Sequence, residues 1–476
     1  MILVIVWDGL RPDMITPERT PRLHTFSRRG VFCSASHAAF PTATRINSAS
    51  LATGCYPGRH GIVDNELYVP ALDPAAPISC ADWRSLQAMA DGEGERLVSV
   101  PTVGEALAEA GRRMVAVGSG SPGTTYLMNP TVAGPVVNWA VAWPDATQRA
   151  LEQQLGGMLT EETDSSQRNA FVLRALREHL VPAHRPDLVS IWLTEPDHAQ
   201  HDHGLASPEA LAALREIDAQ LADLLAWLEG HTGGDLTCFL LSDHGFNTVA
   251  EAADPDGDLV AAGFKAARKS NEIVRTSCSL YVNGTTRGRI PELMRFLAAR
   301  PWVGALFLRD DLLPLCPEAM PQSAVLGNHR RSAEIMFSYR WWEAPNAAGV
   351  PGSAVGTKVP YATHGSSAPH CVNNTLVAWG QGIKAGVTSD SPCGIVDISP
   401  TVLHLLGVAA PPTMQGRVLH ELLAAGPDPL SLAVTRTVRS ALLPVDGGVR
   451  RQVARYSRVA GSVYFGQAAL DDAPQR

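Results

Sequence analysis

The sequence predicts an α/β fold, a mainly parallel sheet packed between layers of helices. Two observations carry this. Short apolar runs alternate with helical stretches over most of the chain, which is the rhythm of strands covered by helices. Asp and His residues then recur just beyond the ends of the apolar runs, where open α/β sheets place their chemistry. The chain has 476 residues, 45% of them hydrophobic and 18% charged. That composition belongs to a folded globular enzyme, and the length admits one large domain with insertions or two domains.

Residues 2–6, Ile-Leu-Val-Ile-Val, form a buried strand. The stretch 21–29 is a helix stopped by Gly30, and 44–52 is a helix closed by Gly54. A third helix over 102–110 begins after Pro101 and ends at Gly111, and a strand over 114–117 follows. One long helix is expected from about 146 to 179. Next come a strand over 187–193, a helix over 208–229 and a strand over 236–241 that delivers Asp243. From about 250 to 353 the rhythm changes, with frequent Pro, Gly and Arg. A strand over 279–282 there, followed by Asn283-Gly284, suggests a tight turn. The core rhythm returns with His364, a strand over 375–379 and a helix over 399–406 ending at Gly407. The expected organisation is a catalytic core of 1–250 and 354–425, an inserted cap of 251–353 and a small C-terminal appendage of 426–476. There is no internal repeat and no low-complexity tract.

The net charge of −8 argues against coating a nucleic-acid polymer, which needs a basic stripe. The basic residues are nearly all Arg, with Lys only at 265, 269, 358 and 384. Arg suits planar anions such as phosphate and carboxylate. The apolar start is too short for a signal segment, and no apolar stretch reaches a membrane span. Eight dispersed cysteines without a CxxC pattern read as reduced thiols, so the expected location is the cytoplasm.

Several residues bear chemistry. Asp8 follows the first strand, a position that also suits a loop cap. Asp197 and His201 are four apart, on one face if their segment is helical; His198 and His203 beside them read as surface residues. Asp243-His244 ends a strand and precedes Gly245, which lets the backbone turn. His364 lies in a loop. Asp and His sets of this kind hold zinc, and two zinc ions about 4 Å apart can clamp an in-line displacement at phosphorus. Thr44 opens a helix, where free N–H groups favour an anion; a plain helix cap is the alternative.

Seven segments in order then carry a resemblance. They are Val6-Trp7-Asp8-Gly9, Phe40-Pro41-Thr42-Ala43-Thr44, Leu51-Ala52-Thr53-Gly54 with 56–61, Asp197-x-x-x-His201, Asp243-His244-Gly245, Thr363-His364-Gly365 and Asp397-Ile398-Ser399-Pro400-Thr401. Together the chain resembles the alkaline phosphatase superfamily, most closely its nucleotide pyrophosphatase/phosphodiesterase branch, over 1–243 and 364–407. The resemblance implies a three-layer alkaline-phosphatase-like core. It implies one zinc held by Asp197, His201 and His364, and a second held by Asp8, Asp243 and His244; manganese or iron suits similar ligands. It implies Thr44 as nucleophile, Thr42 as a structural residue, and Asn65 as a donor to a non-bridging phosphoryl oxygen. By its own sequence context Asn65 is a turn residue. The implied activity is hydrolysis of phosphodiester or phosphoanhydride bonds in a small phosphorylated substrate, through a covalent phospho-threonine.

The chain also departs from the pattern. Nucleotide-cleaving members have Phe-Pro after the nucleophile, whereas this chain has Arg45-Ile46. Arg45 either binds a second anionic oxygen of the substrate, which favours a phosphate monoester, or points away to a surface carboxylate. Phosphonoacetate hydrolase is a similar relative that cleaves a C–P bond and uses lysines to hold the substrate carboxylate. No Lys occurs between Thr44 and Phe264, so that activity would need Arg84 or Arg96 instead. Thr44 argues against a sulfatase. The aromatic run 339–342 is either a lid over the site or packing for the cap. A non-catalytic metal-binding protein is the remaining alternative.

Overall fold

In the computed structural model, which describes residues 1–359 and 361–471, the strand Ile2–Trp7 runs through the interior of a nine-stranded sheet. All six of its residues are buried. Leu3, Ile5 and Trp7 join a core with the helices Ser165–Ala175 and Pro208–Thr232. Ile2, Val4 and Val6 join a second core with Thr44–Thr53, Val103–Glu109 and Ile398–Leu405. A strand with both faces buried has no polar side to show, which is why this run reads as continuously apolar. The result is three layers, helices on each face of the sheet.

Leu188–Leu193 and Thr237–Leu241 flank the first strand, both parallel to it. Met114–Gly118 and Val136–Asn138 continue the sheet on one side in the same direction, and Val31–Cys33 and Val387–Ser389 lie towards the other edge. Only Leu376–Gly380 and Ala142–Trp143 run the opposite way. Three neighbouring parallel strands thus end at one place, and Asp8, Asp197 and Asp243 all follow those ends.

Most elements lie within a residue or two of expectation; the helix Pro21–Arg29 and the strand Ser279–Val282 have the expected bounds. Two readings are corrected. The long helix over 146–179 is two helices. Asp145–Leu155 stops at Gly156, whose φ of +89° is left-handed, and a new helix starts at Ser165 with a capping box of Asp164 and Gln167. Gly156-Gly157 and Asp164 are ordinary stop and start signals that the apolar period runs across. Asn283-Gly284 makes no tight hairpin. It opens a short 3₁₀ helix, Gly284–Arg289, and Ser279–Val282 pairs with Ile273–Arg275 before it and Ile335–Tyr339 after it.

Within 251–353 lies a four-stranded antiparallel sheet that also includes Val303–Leu308. The C-terminal strands Val434–Val445, Gly448–Val459 and Ser462–Leu470 form a three-stranded antiparallel meander. Leu443, Val445 and Leu470 of the meander share a core with Leu306, Ile335 and Phe337. The Trp341 indole donates to the Ala468 carbonyl at 2.9 Å, so the 339–342 run ties this segment to the meander. Phe40, just before the Thr42–Thr44 turn, packs its ring 5.6 Å from Phe307 and 5.2 Å from Phe465. All eight cysteines are free and buried. Among the described residues, no helix is long and apolar enough to cross a membrane.

Phe40 therefore joins the sheet domain, the insert and the meander at one point. Phe40→Ala should lower stability by about 3–5 kcal/mol, the usual cost of emptying an aromatic core site. Urea denaturation checks this, and a loss below about 1 kcal/mol would show that the three parts are not cemented there.

Candidate metal centre

Asp8 leaves the first strand with its Oδ2 accepting from the Trp192 indole at 2.9 Å. Asp243 has its Oδ1 taken by the Gly9 N–H at 3.1 Å and the His244 N–H at 3.0 Å. In each case the other oxygen is buried and accepts no hydrogen bond among the described residues; the same holds for Asp197 Oδ1. A buried carboxylate oxygen with no donor costs on the order of 1–3 kcal/mol or more, so three in one place call for a cation.

The imidazoles are oriented to match. His201 Nδ1 donates to the Ala362 carbonyl at 3.1 Å, His244 Nδ1 to Gly245 at 3.1 Å, and His364 Nδ1 to Thr42 at 2.8 Å. Each backbone bond fixes the tautomer and leaves the Nε2 lone pair facing the carboxylates, the arrangement metal-ligating histidines use. His244 Nε2 lies 3.1 Å from Asp243 and 3.5 Å from Asp8. His201 and His364 lie 3.5 and 3.6 Å from Asp197 Oδ1. Phe246 walls the cluster, its ring 5.0 to 5.8 Å from all three imidazoles.

Ligand atoms of Asp8, Asp243 and His244 lie within 4.8 Å of one another, as do those of Asp197, His244 and His364. His244 thus sits between the two groups. His201 stands at the rim of the second, on the short helix Asp197–His203, and is its most exposed member. The donor chemistry, the orphaned oxygens and the fixed tautomers all suit divalent cations. Burial, with the charges of Asp243 and Asp197, pushes the Asp8 carboxyl well above its usual range. Burial, with His244 and His201 nearby, pushes the His364 imidazole well below its own. Burial opposes a charged His244, but Asp243 outweighs it and raises that imidazole. A bound cation answers the carboxylate charge directly.

Thr44 is the first residue of the helix Thr44–Thr53, and the cap position before it is Ala43. Its hydroxyl makes no cap bond and lies 3.4 Å from His244 Nε2. Asn65 Oδ1 accepts the next N–H, that of Arg45, at 3.0 Å, so the Asn65 amide stands beside the helix start. Asn65 is held in turn by Asp64, which accepts its N–H at 2.7 Å. Buried Asp64 is clasped by the insert: Thr276 and Ser277 hydroxyls donate to it at 2.6 Å and the Cys278 N–H at 3.3 Å.

Arg45 lines a cleft of about 700 Å³ beside Asp197, together with Ser119, Ser121, Trp139 and Arg168. Its guanidinium donates to Ser121 Oγ at 3.1 Å, so it does not turn away to a surface carboxylate. Arg84 lines the same cleft, whereas Arg96 pairs with Glu105. No residue of 251–353 lines the cleft.

Trp192, Asp64, Phe246 and Gly9 also shape the site and were not singled out in the sequence as carrying these roles, while Thr42, expected to be structural, accepts the His364 Nδ1–H at its carbonyl. Gly9 has the clearest signal, a glycine directly after the first Asp. Its φ is +70°, and a Cβ there would lie 2.6 Å from the Phe246 ring.

Comparison with known proteins fits this geometry. A family model described as type I phosphodiesterase / nucleotide pyrophosphatase matches residues 2–293. The chain belongs to that family. Venom phosphodiesterase 2 of Crotalus adamanteus is 24% identical over 246 residues, 51% of this chain and 25% of the relative. Ectonucleotide pyrophosphatase/phosphodiesterase family member 1 of Mus musculus is 25% identical over 253 residues, 51% of this chain and 24% of the relative. The chain thus spans about a quarter of the length of these family members. Among solved structures, the alkaline phosphatase PafA aligns with a TM-score of 0.68 at 17% identity, covering 89% of this chain and 98% of that one. Murine ectonucleotide pyrophosphatase/phosphodiesterase 5 aligns with a TM-score of 0.61 at 18% identity, covering 89% and 100%. The fold is the one these alkaline-phosphatase-like proteins share.

His364→Ala should cost one bound metal per chain, and Asp243→Asn should weaken binding at the His244 side. Elemental analysis of purified protein checks both. Two full equivalents in each variant would remove these residues from the ligand set.

Proposed function

We propose that the chain is a metal-dependent hydrolase that cleaves phosphodiester or phosphoanhydride bonds, with Thr44 as nucleophile. The carrying observation is a helix-initial hydroxyl, free of any cap bond, 3.4 Å from His244 and beside three orphaned carboxylate oxygens. Asp197, His201 and His364 would hold one cation and Asp8, Asp243 and His244, through its one free Nε2 lone pair, the other. Zinc suits this mixed Asp and His set. When bound, such cations supply Lewis-acid charge for phosphoryl oxygens and ease deprotonation of a hydroxyl.

The chain's own residues do the rest. Thr44 Oγ forms a bond to phosphorus as the leaving oxygen departs in line, giving a phospho-threonine. Water then attacks phosphorus, releases the phosphoryl group and restores the Thr44 hydroxyl. Asn65 has its Oδ1 committed to Arg45 N–H, which leaves its Nδ2 donors for a non-bridging oxygen. Preorganised donors of this kind supply the electrostatic stabilisation that dominates phosphoryl transfer. A small phosphorylated substrate fits the cleft volume. The family's phosphodiesterase and nucleotide pyrophosphatase activities, and the AMP complex of inactive murine ectonucleotide pyrophosphatase/phosphodiesterase 5, support such a substrate.

Arg45 in the cleft supports a second reading, cleavage of phosphate monoesters or of a phosphonate at the same centre. Turnover of matched aryl phosphate diester and monoester separates the two. Thr44→Ala should reduce kcat by at least a thousandfold while metal content survives; substantial residual turnover would refute the nucleophile, and no turnover by the wild type would leave a metal-binding protein. Arg45→Ala should reduce kcat/KM for the monoester about tenfold more than for the diester. Equal losses would show that Arg45 does not read the extra charge.

A further inference from the structure

The cleft that opens from the metal centre holds three arginines, Arg45, Arg84 and Arg168. Most buried or half-buried arginines of this protein are matched with carboxylates: Arg331 with Glu93, Arg417 with Glu421, Arg309 with Glu334. Among the described residues, none of the three cleft arginines forms an ion pair. Arg168 instead lies over the Trp139 ring at 3.9 Å, and Arg84 over the Trp83 ring at 4.6 Å. Both indoles line the same cleft.

An indole face positions a guanidinium without using its in-plane N–H donors. A carboxylate partner would use those donors and cancel the charge. Arg168 gives one Nη2 bond to the Glu161 carbonyl at 2.8 Å, and its buried Nε has no acceptor among the described residues. The acids of the cleft do not fill the need. Asp82 caps its helix through the Arg84 and Ser85 N–H groups, Asp197 belongs to the metal cluster, and Glu161 is exposed and contributes its carbonyl. Two cations on aromatic stands, in a polar cleft whose acids form no ion pair with them, await an oxyanion.

We infer that the substrate carries a second anionic group, a carboxylate or a phosphate remote from the reacting phosphorus, which Arg168 and Arg84 bind. The inference rests on the proposed phosphoryl-transfer reading of the centre. Arg45 lies nearer that centre and serves the reacting end; Arg84 and Arg168 read the far end. A substrate of this class is a phosphate ester, anhydride or phosphonate of an acidic molecule, not of a neutral alcohol.

The test uses the metal-loaded full chain and three arylphosphonates free of any ester or anhydride bond: an untailed phenylphosphonate, a carboxylate-tailed one and one whose tail ends in a methylphosphonate in place of phosphate. Isothermal calorimetry should show at least one tailed compound binding at least tenfold more tightly than the untailed one. The better tail distinguishes carboxylate from phosphate. In Arg168→Met that ratio should fall to near one, and in the exposed-site variant Arg84→Met it should fall severalfold. Equal binding of tailed and untailed compounds by the wild type overturns the inference, and so does a ratio that both variants leave intact. Turnover of aryl phosphates is measured separately. A binding preference without any turnover upholds the anion site and refutes the hydrolase reading; turnover without a preference does the reverse.

Discussion

Three carboxylates with an oxygen apiece left unanswered are the constraint around which the molecule is built. Asp8, Asp197 and Asp243 follow the carboxyl ends of three adjacent parallel strands, and the interior gives them too few donors to stand alone. Everything nearby either shares that charge or aims at it. Trp192 and two backbone N–H groups take one oxygen each side. Three backbone carbonyls hold three histidines with their lone pairs inward. Without a cation these buried oxygens carry an unanswered desolvation cost; a bound cation would offset it.

The fold was legible because its central strands are buried on both faces and so carry unbroken apolar runs. The ligand set was legible for a related reason: Asp8 and Asp243-His244 stand right after such runs, and Asp197 and His201 share a helical turn. Other parts were not. Trp192 sits inside a strand and reads as core, since nothing local marks its indole N–H as bound for Asp8 184 residues away in sequence. The break at Gly156 was hidden because apolar periodicity resumes after the gap. Asn65 reads as a turn residue, and nothing local shows that Asp64 before it is held by partners more than 200 residues downstream. Local pattern reveals what neighbours in sequence do; it is silent on bonds closed by the fold.

Arginine is used in two ways. Several structural arginines are locked to glutamate or aspartate, as Arg331 is to Glu93. In the cleft, Arg84 and Arg168 rest on tryptophan instead and Arg45 donates to Ser121. The difference separates charge that holds the protein together from charge held in reserve, and composition alone, which shows only that arginine outnumbers lysine, does not distinguish them.

The clasp on Asp64 has a further consequence. The insert contributes no metal ligand, yet Thr276, Ser277 and Cys278 fix the residue that fixes Asn65. The cluster of carboxylates and imidazoles and the hold on the Asn65 amide are therefore encoded in separate stretches of the chain. The segment 251–353 is bound to the rest of the protein twice over, by its core contacts with Phe40 and the meander and by this three-residue grip. Loss of the grip alone would free the Asn65 amide from the helix start and leave the cluster of carboxylates and imidazoles untouched.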